Sequence, residues 1–326
     1  MKTTILDLKN SAYENGKLSG EYFRNKVDVK EIESYVNTEI RETCLPILRQ
    51  LQQEYPIYYE EVRGKAEGLH MDLVDYFTIL CPELSKMHKE QCTTVICKKI
   101  NGNYVLSHNE DDIYVEHNFC LSKVWIDNQH WFMTNDMFNM PFGNGVSWNS
   151  YGMVKTINYC HDENYNIEQL PRYFAQRHIS EAKSIEDLIN RCKEMKVASG
   201  YHVIGIDTHS LEAVSIEVHS DGVDVEYIEN YAHSNHFIHH NCEAKCDEGS
   251  NSVFRLEKAR ELLEFVECTK SGIKSVVDYR GINNDVSIFQ DRSTKNITIF
   301  NMTIDTESSI SFINYVDDEE LNFDYK

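Results

Sequence analysis

The chain changes its period at Cys92, and that change does most to limit its fold. Upstream, apolar residues recur at helical spacing: Ile32, Tyr35, Val36 and Ile40, then Leu45, Leu48 and Leu51. YPIYYEEVRGKAEGLHMDLVDYFTILCPEL predicts two helices joined by a turn over Gly68 to Met71, and SKMHKE reads as a polar connection. Downstream, TTVICKKI and NYVLSH flank Asn101-Gly102, a strong short-range hairpin signal. FCLSKVWI and HWFMTND make a second pair around Asp127-Asn128, and GVSWNS and MVKTINYC a third around Gly152. SIEDLINRCKEM predicts a helix capped by Ser184 in a loose capping box with Asp187, burying Ile185, Leu188, Ile189, Cys192 and Met195. YHVIGIDTHSLEAVSIEVHSDGVDVEYIE returns to strands, and VFRLEKARELLEFVE predicts a last helix. VSIFQ, NITIFNMTID and SSISFINY read as closing strands. Helices, strands, helices and strands without a repeat or a Pro-rich linker predict one layered α+β domain.

At 326 residues the chain is long enough to bury a core without staples. Its 41% hydrophobic and 26% charged residues are ordinary for a soluble globular protein. No run of 18 apolar residues exists, so no membrane span is expected. MKTTILDLKNSAYENG lacks the apolar core of a secretory signal, and cytoplasmic residence is the expectation. Ten irregularly spaced cysteines then read as buried small groups with room for one reactive thiol, not as a disulfide framework. The net charge of −21 argues against a nucleic-acid partner, and its field favours cationic amines over strongly anionic ligands.

Three stretches hold candidate chemistry. Cys92 opens a strand beside Thr93 and Thr94, and the hairpin returns Asn109, Asp111 and Asp112 toward it. A carboxylate there can orient an amine or a guanidinium next to the sulfur. HSNHFIHHNCEAKC gathers His233, His236, His239, His240, Cys242 and Cys246, yet no standard zinc spacing completes a second ligand pair. The expectation is no metal, with these histidines as polar loop residues around one functional group. Gly143, Gly145 and Gly152 mark either hairpin turns or places where backbone approaches a ligand. There is no GxGxxG, phosphate loop or GxSxG elbow, and no cofactor is expected.

Several blocks in order, over nearly the full length, resemble the acyl-CoA:isopenicillin N acyltransferases and their relatives. These are autoproteolytic N-terminal-nucleophile hydrolases akin to choloylglycine hydrolases and penicillin V acylases. EEVRGKAEGLHMDL resembles the family's segment before the nucleophile, and CTT with NGNYVLSHNEDD resembles its Cys-Thr-Thr/Ser start and following Asn-x-Asp. WNSYGMVKTIN, LPRYFAQRHISEAKSIEDLI and HSNHF resemble three later blocks. The resemblance implies an α+β fold, a four-layer αββα sandwich. It also implies a self-cut between Gln91 and Cys92 that leaves residues 1–91 as a helical pro-segment and 92–326 as the catalytic core.

By the same resemblance Cys92 attacks with its thiol and accepts the proton on its freed α-amino group. Asp111 holds the new ammonium, Asn235 donates to the oxyanion, and Asn158 supplies a second donor or positions the substrate amide. Asn109 and Arg292 are candidate substrate contacts. The chain departs from the family in having Gln91 where relatives often have Gly, and in the early segment SGEYFRNK. In SIFQDR, Gln290 or Arg292 stands for a late arginine. Arg177 and Arg255 match family helix positions and read equally well as structural ion-pair residues. The expected activity is hydrolysis of a small linear amide, an N-acyl or aminoacyl amine, through a cysteinyl thioester. The alternative is acyl transfer from an acyl-CoA at the same site. The rival from another class is a non-catalytic or metal-binding member of the fold. The implied partners are the substrate and the chain's own pro-fragment, with homo-oligomerisation left open.

Overall fold

The computed structural model describes residues 3–33, 36–85, 91–113, 119–240, 250–281, 287–291 and 296–324. The chain starts with strand β1 (Ile5–Leu8) and continues through helices α1 (Ala12–Arg24), α2 (Val29–Glu33), α3 (Thr38–Glu54), α4 (Pro56–Leu69), α5 (Leu73–Ile79) and α6 (Pro82–Ser85). Strands β2 (Gln91–Lys98), β3 (Tyr104–Ile113), β4 (Phe119–Trp125), β5 (Trp131–Met137), β6 (Ser147–Asn149) and β7 (Met153–Tyr159) follow. Next come α7 (Arg172–Ile179), α8 (Ile185–Glu194), β8 (Tyr201–Asp207), β9 (Glu212–His219), β10 (Gly222–Tyr227) and β11 (Tyr231–His233). The chain closes with α9 (Ser252–Leu263), α10 (Lys270–Val277), β12 (Asn296–Asp305), β13 (Ser309–Asn314) and β14 (Glu319–Asp324).

Two sheets form the middle of the molecule. One has eight strands in the order β1-β4-β5-β6-β7-β8-β9-β10, the other six in the order β11-β2-β3-β12-β13-β14. Three apolar clusters show how they stack. Ile96, Leu106, Leu121, Val154, Ile204, Phe300 and Met302 fill the space between the sheets. Helices α1, α3, α4, α5, α7 and α8 cover the outer face of the larger sheet through Phe23, Leu51, Val62, Phe77, Phe174 and Leu188 against Ile157, Val203 and Ile216. Helices α9 and α10 cover the smaller sheet through Leu256, Ala259, Ile273 and Val276 against Val95 and Val105. The layers therefore run helix, sheet, sheet, helix: the αββα sandwich. Among the described residues no helix is long and apolar enough to cross a membrane.

The local signals behave as their chemistry requires. Asn101-Gly102 lies in the turn between β2 and β3, with Gly102 at φ +88° and its N–H on Lys99 O. Ser184 Oγ accepts from Asp187 N at 3.2 Å and starts α8, whose buried side is Ile185, Leu188 and Cys192. Other outcomes depart from the expectations. Within VSIFQ the described residues 287–290 form no ladder strand: the N–H groups of Ile288 and Phe289 both donate to Tyr279 O, and Gln290 pairs locally with Thr298. Within the stretch read as mostly helical, Ile5–Leu8 is instead a strand that pairs in parallel with Leu121–Val124. Neither α10 nor β14 is among the expected elements. SKMHKE falls almost entirely outside the described residues.

Candidate active site

Strand parity sets up the site. Ile96 of β2 lies between the sheets and Val95 lies under α9 and α10. Side chains alternate, so Cys92 and Thr94 face the inter-sheet space while Thr93 faces the helices. On β3, Leu106 and Val105 fix the same alternation. His108 and Glu110 therefore face inward, with Asn109 and Asp111 on the helix side. The ladder pairs Cys92 with Glu110, Thr93 with Asn109 and Thr94 with His108.

Among the described residues three groups hold Cys92, which is 2% exposed. Its thiol donates to Glu110 Oε1 at 3.3 Å, and Glu110 Oε2 lies 3.2 Å from His108 Nε2. Its backbone N–H donates to Asn235 Oδ1 at 2.9 Å. Its carbonyl accepts from Arg255 Nη1 at 2.7 Å. The ladder between β11 and β2 ends at His233–Thr94. Continued in register, it would put Asn235 opposite Cys92. There the side chains of Asn235 and Arg255 do what a neighbouring strand's backbone would otherwise do.

Those two side chains arrive from far along the chain and are themselves fixed. Arg255, fully buried, also donates to Thr93 Oγ1 at 2.7 Å, to Asn235 Oδ1 at 2.6 Å and to Asn251 Oδ1 at 2.8 Å. Guanidinium has no acceptor, so these contacts orient the Asn235 amide with its oxygen toward Cys92. Asn235 Nδ2 donates to Tyr159 O at 3.0 Å, and Asn235 N donates to Ser252 Oγ at 2.7 Å, at the start of α9.

Around Cys92 the inter-sheet space is polar, in contrast to the apolar filling further along. Thr94, His108, Thr156, Asn158, His202, Ser215, Glu217 and His233 are all buried there. Thr94 Oγ1 donates to Asn158 Oδ1 at 2.9 Å and lies 2.8 Å from His108 Nδ1. His202 stacks on His233 with ring centres 3.4 Å apart. Burial sets the charge states: it pushes the His108 imidazole down to about 3, and the buried Lys155 adds to that. Burial also pushes Asp111 up to about 6 against the opposing pull of Arg255 and the hydrogen bond from Thr298, with Asp112 adding to the rise. Glu217 goes the other way. Its burial would raise it, but His233 and the N–H groups of Ile238 and His239 bring it down to about 2.

The expected residues divide accordingly. Cys92 and Asn235 are in direct contact, and Asn158 joins the same face through Thr94. Asn158 Nδ2 is buried without a partner among the described residues. Gln91 pairs with Asp111 in the ladder, but the Asp111 side chain lies on the helix face with Thr298. Asn109 is a strut, donating to Val277 O at 2.8 Å and accepting from Asn301 Nδ2 at 2.8 Å. Arg292 lies outside the described residues, and Gln290 donates to Ser287 O and Ile288 O beside it. Arg177 is structural, held by Glu61 at 2.8 and 3.0 Å and by Glu181 at 2.7 Å.

The histidine-rich segment does not converge on one centre within the described residues. His236 meets Ser252, His239 meets Tyr231, and His240 stacks on His219. The backbone of Ile238, His239 and His240 wraps the Glu217 carboxylate instead, donating at 2.6, 3.0 and 3.1 Å. Cys242 and Cys246 lie outside the described residues. Two donor sets have ligand-type atoms within 4.8 Å of one another: Cys92 with His108 and Glu110, and His219 with Asp224 and His240. The second is satisfied without an ion. His219 Nδ1 accepts from Asp221 N, which leaves its Nε2–H to donate to Asp224.

Sequence reasoning missed Glu110 and His108 as neighbours of the sulfur and Arg255 as its backbone anchor. The first two had a signal. A hairpin centred on Asn101 pairs residues equidistant from it, and Cys92 and Glu110 each stand nine positions away. Arg255 had none beyond its helix position, since 163 residues separate it from Cys92.

The sequence model of the acyl-coenzyme A:6-aminopenicillanic acid acyl-transferase family matches residues 97–313, more than half of the chain. The matched range opens just past Cys92. No curated protein sequence matches. Similar solved structures include a variant of conjugated bile acid hydrolase from Clostridium perfringens, at 11% identity and a TM-score of 0.46, covering 72% of this chain and 92% of that one. Penicillin V acylase from Agrobacterium tumefaciens matches at 9% identity and 0.43, covering 72% and 86%. The N-acylethanolamine-hydrolyzing acid amidase ortholog of Caenorhabditis elegans matches at 11% and 0.44, covering 66% and 93%.

Proposed function

This chain belongs to the acyl-coenzyme A:6-aminopenicillanic acid acyl-transferase family, and from that premise we propose that it is a cysteine amidohydrolase activated by its own cleavage between Gln91 and Cys92. One observation carries the reading: Cys92 is buried with a carboxylate on its thiol, and side chains hold its backbone N–H and C=O. A peptide bond cut there leaves the rest of the β2 ladder paired.

After the cut, the new α-amine of Cys92 serves as base in each turnover. Its reference pKa of about 7.7–8.0 needs little tuning for that task. Asn235 Oδ1, already on the Cys92 nitrogen, holds that amine in place. The thiolate attacks the carbonyl of a linear amide, the amine half leaves, and the acyl group remains as a cysteinyl thioester until water releases it. Asn158, with its spare Nδ2, and Asn235 are the proposed donors to the oxyanion. Asp111 acts from beneath the strand, beside Arg255, on the charge of the new terminus.

The family's description favours a second reading, in which an amine resolves a thioester loaded from acyl-CoA. The net charge of −21 disfavours the CoA phosphates, so water is the proposed acceptor.

Denaturing mass spectrometry tests the proposal. The purified chain should appear as two fragments split at 91/92, and C92S as one chain of 38.1 kDa. The cut protein should release amine from a panel of small N-acyl amides, with no dependence on added acyl-CoA. An intact native chain, or equal amide hydrolysis by C92S, overturns it.

A further inference from the structure

A cysteine inside a polypeptide has no α-amine. The base proposed for later turnovers is therefore missing at the moment of the first cut, and another group must take the thiol proton. The inference rests on the self-cleavage reading above and assigns that step to a residue.

Three titratable side chains stand near Cys92 by sequence: His108, Glu110 and Asp111. Parity removes Asp111, whose carboxylate sits on the opposite face of the strand and accepts from Thr298 Oγ1. His108 points its Nε2 at Glu110 Oε2, 3.2 Å away, and its Nδ1 meets Thr94. Glu110 alone of the three is hydrogen-bonded to the sulfur, at 3.3 Å through Oε1. It is the ladder partner of Cys92 on adjacent strands, so the contact is fixed by backbone register, and it is nearly buried at 6% exposure. Its two oxygens have separate neighbours, the thiol at Oε1 and the His108 ring at Oε2.

We infer that Glu110 is the general base of the first, self-cleaving turnover. The Sγ–H proton passes to Glu110 Oε1, and the thiolate attacks the Gln91 carbonyl carbon. The C–N bond between Gln91 and Cys92 breaks as Glu110 returns the proton to the departing nitrogen. The result is a thioester of Gln91 on Cys92 and a free α-amine. Water then hydrolyses the thioester to the Gln91 carboxylate and the thiol. Atoms and charge balance without any added reactant but water. Glu110 is thus a device for one use, superseded by the amine it helps to create.

The test is cell-free synthesis of the full chain, followed over time for the appearance of the two fragments. Positioned acid–base groups contribute about 10²–10⁴-fold. E110Q should therefore cut at least about 10²-fold more slowly than wild type, with an unchanged melting profile. E110D keeps the carboxylate but draws it back from the sulfur, and should cut at an intermediate rate. Chelator should leave the wild-type rate unchanged. Wild-type cutting by folded E110Q overturns the inference and leaves the self-cleavage reading standing. If E110Q does not fold, E110D decides, and a wild-type rate there overturns it equally. Loss of cutting on chelation also overturns it, since an ion on the Cys92, His108 and Glu110 atoms would then be activating the sulfur. A wild-type chain that never cuts removes the self-cleavage reading itself.

Discussion

Asp111 shows how far one residue's charge can depend on the face it occupies. Its side chain is fully buried on the helix side of β3, and burial raises its pKa from 3.8 to about 6. The sign of the linkage follows. The folded chain holds this proton more tightly than the unfolded chain, so the stabilisation is complete below about pH 4. It is lost as pH rises through about 6. At 1.36 kcal/mol per unit, the loss is about 3 kcal/mol. In the uncut C92A background, urea denaturation should show that decline between about pH 4 and 7, and D111N, which has no such proton, should lack it. Equal declines in the two proteins would mean that the Asp111 carboxylate is not held neutral.

Helices α1 and α4 cross with their backbones in close approach. Gly16 and Gly20 on one face Gly64 and Gly68 on the other, each set spaced by four so that both lie on a single helix face. A methyl added at Gly64 would overlap the Tyr13 carbonyl, and one at Gly16 would overlap the Glu61 carbonyl. The obstacle in each case is backbone, which no rotamer change relieves. Alanine would otherwise gain about 1 kcal/mol of helix propensity. Overpacking that forces the helices apart should outweigh it, and G64A should lose about 2 kcal/mol net by thermal or urea unfolding. A stabilised G64A would show that the helices do not touch there. The crossing brings Lys65 to Asp136 at 2.7 Å, where Ser19 and Ser122 also donate, and it aims Glu61 at Arg177.

Ser19–Asp136, Lys65–Asp136 and Glu61–Arg177 bear on the molecule as a whole, because each joins residues 1–91 to the remainder. Glu61–Arg177 and Lys65–Asp136 are buried ion pairs, and separating either would strand a charge in the interior at about 3–5 kcal/mol. β1 adds a parallel strand to β4 at the edge of the larger sheet. Phe23, Leu51, Val62 and Phe77 belong to the same apolar cluster as Phe174, Leu188 and Val203. After cleavage at 91/92, the two fragments should elute together from a sizing column and separate only in denaturant. A small fragment that leaves without denaturant would mean that these contacts do not hold it.

Where the signal was local, it could be read directly. The period of the apolar residues marked α3, α4 and α8, Asn101-Gly102 marked the β2–β3 turn, and Ser184 marked a helix start. Each depends on residues a few positions apart, and local sterics and hydrogen bonding decide them before any long-range contact forms. The hairpin's symmetry about Asn101 even contained the pairing of Cys92 with Glu110. What long-range packing alone decided is which groups close around the sulfur. Asn235 and Arg255 reach Cys92 across 143 and 163 residues, and neither distance leaves a periodic trace. The glycine faces of α1 and α4, and the polar filling between the sheets at the Cys92 end, are likewise properties of surfaces brought together. Alternation along a strand settles which side a residue faces; only the stacking of layers settles what that side meets.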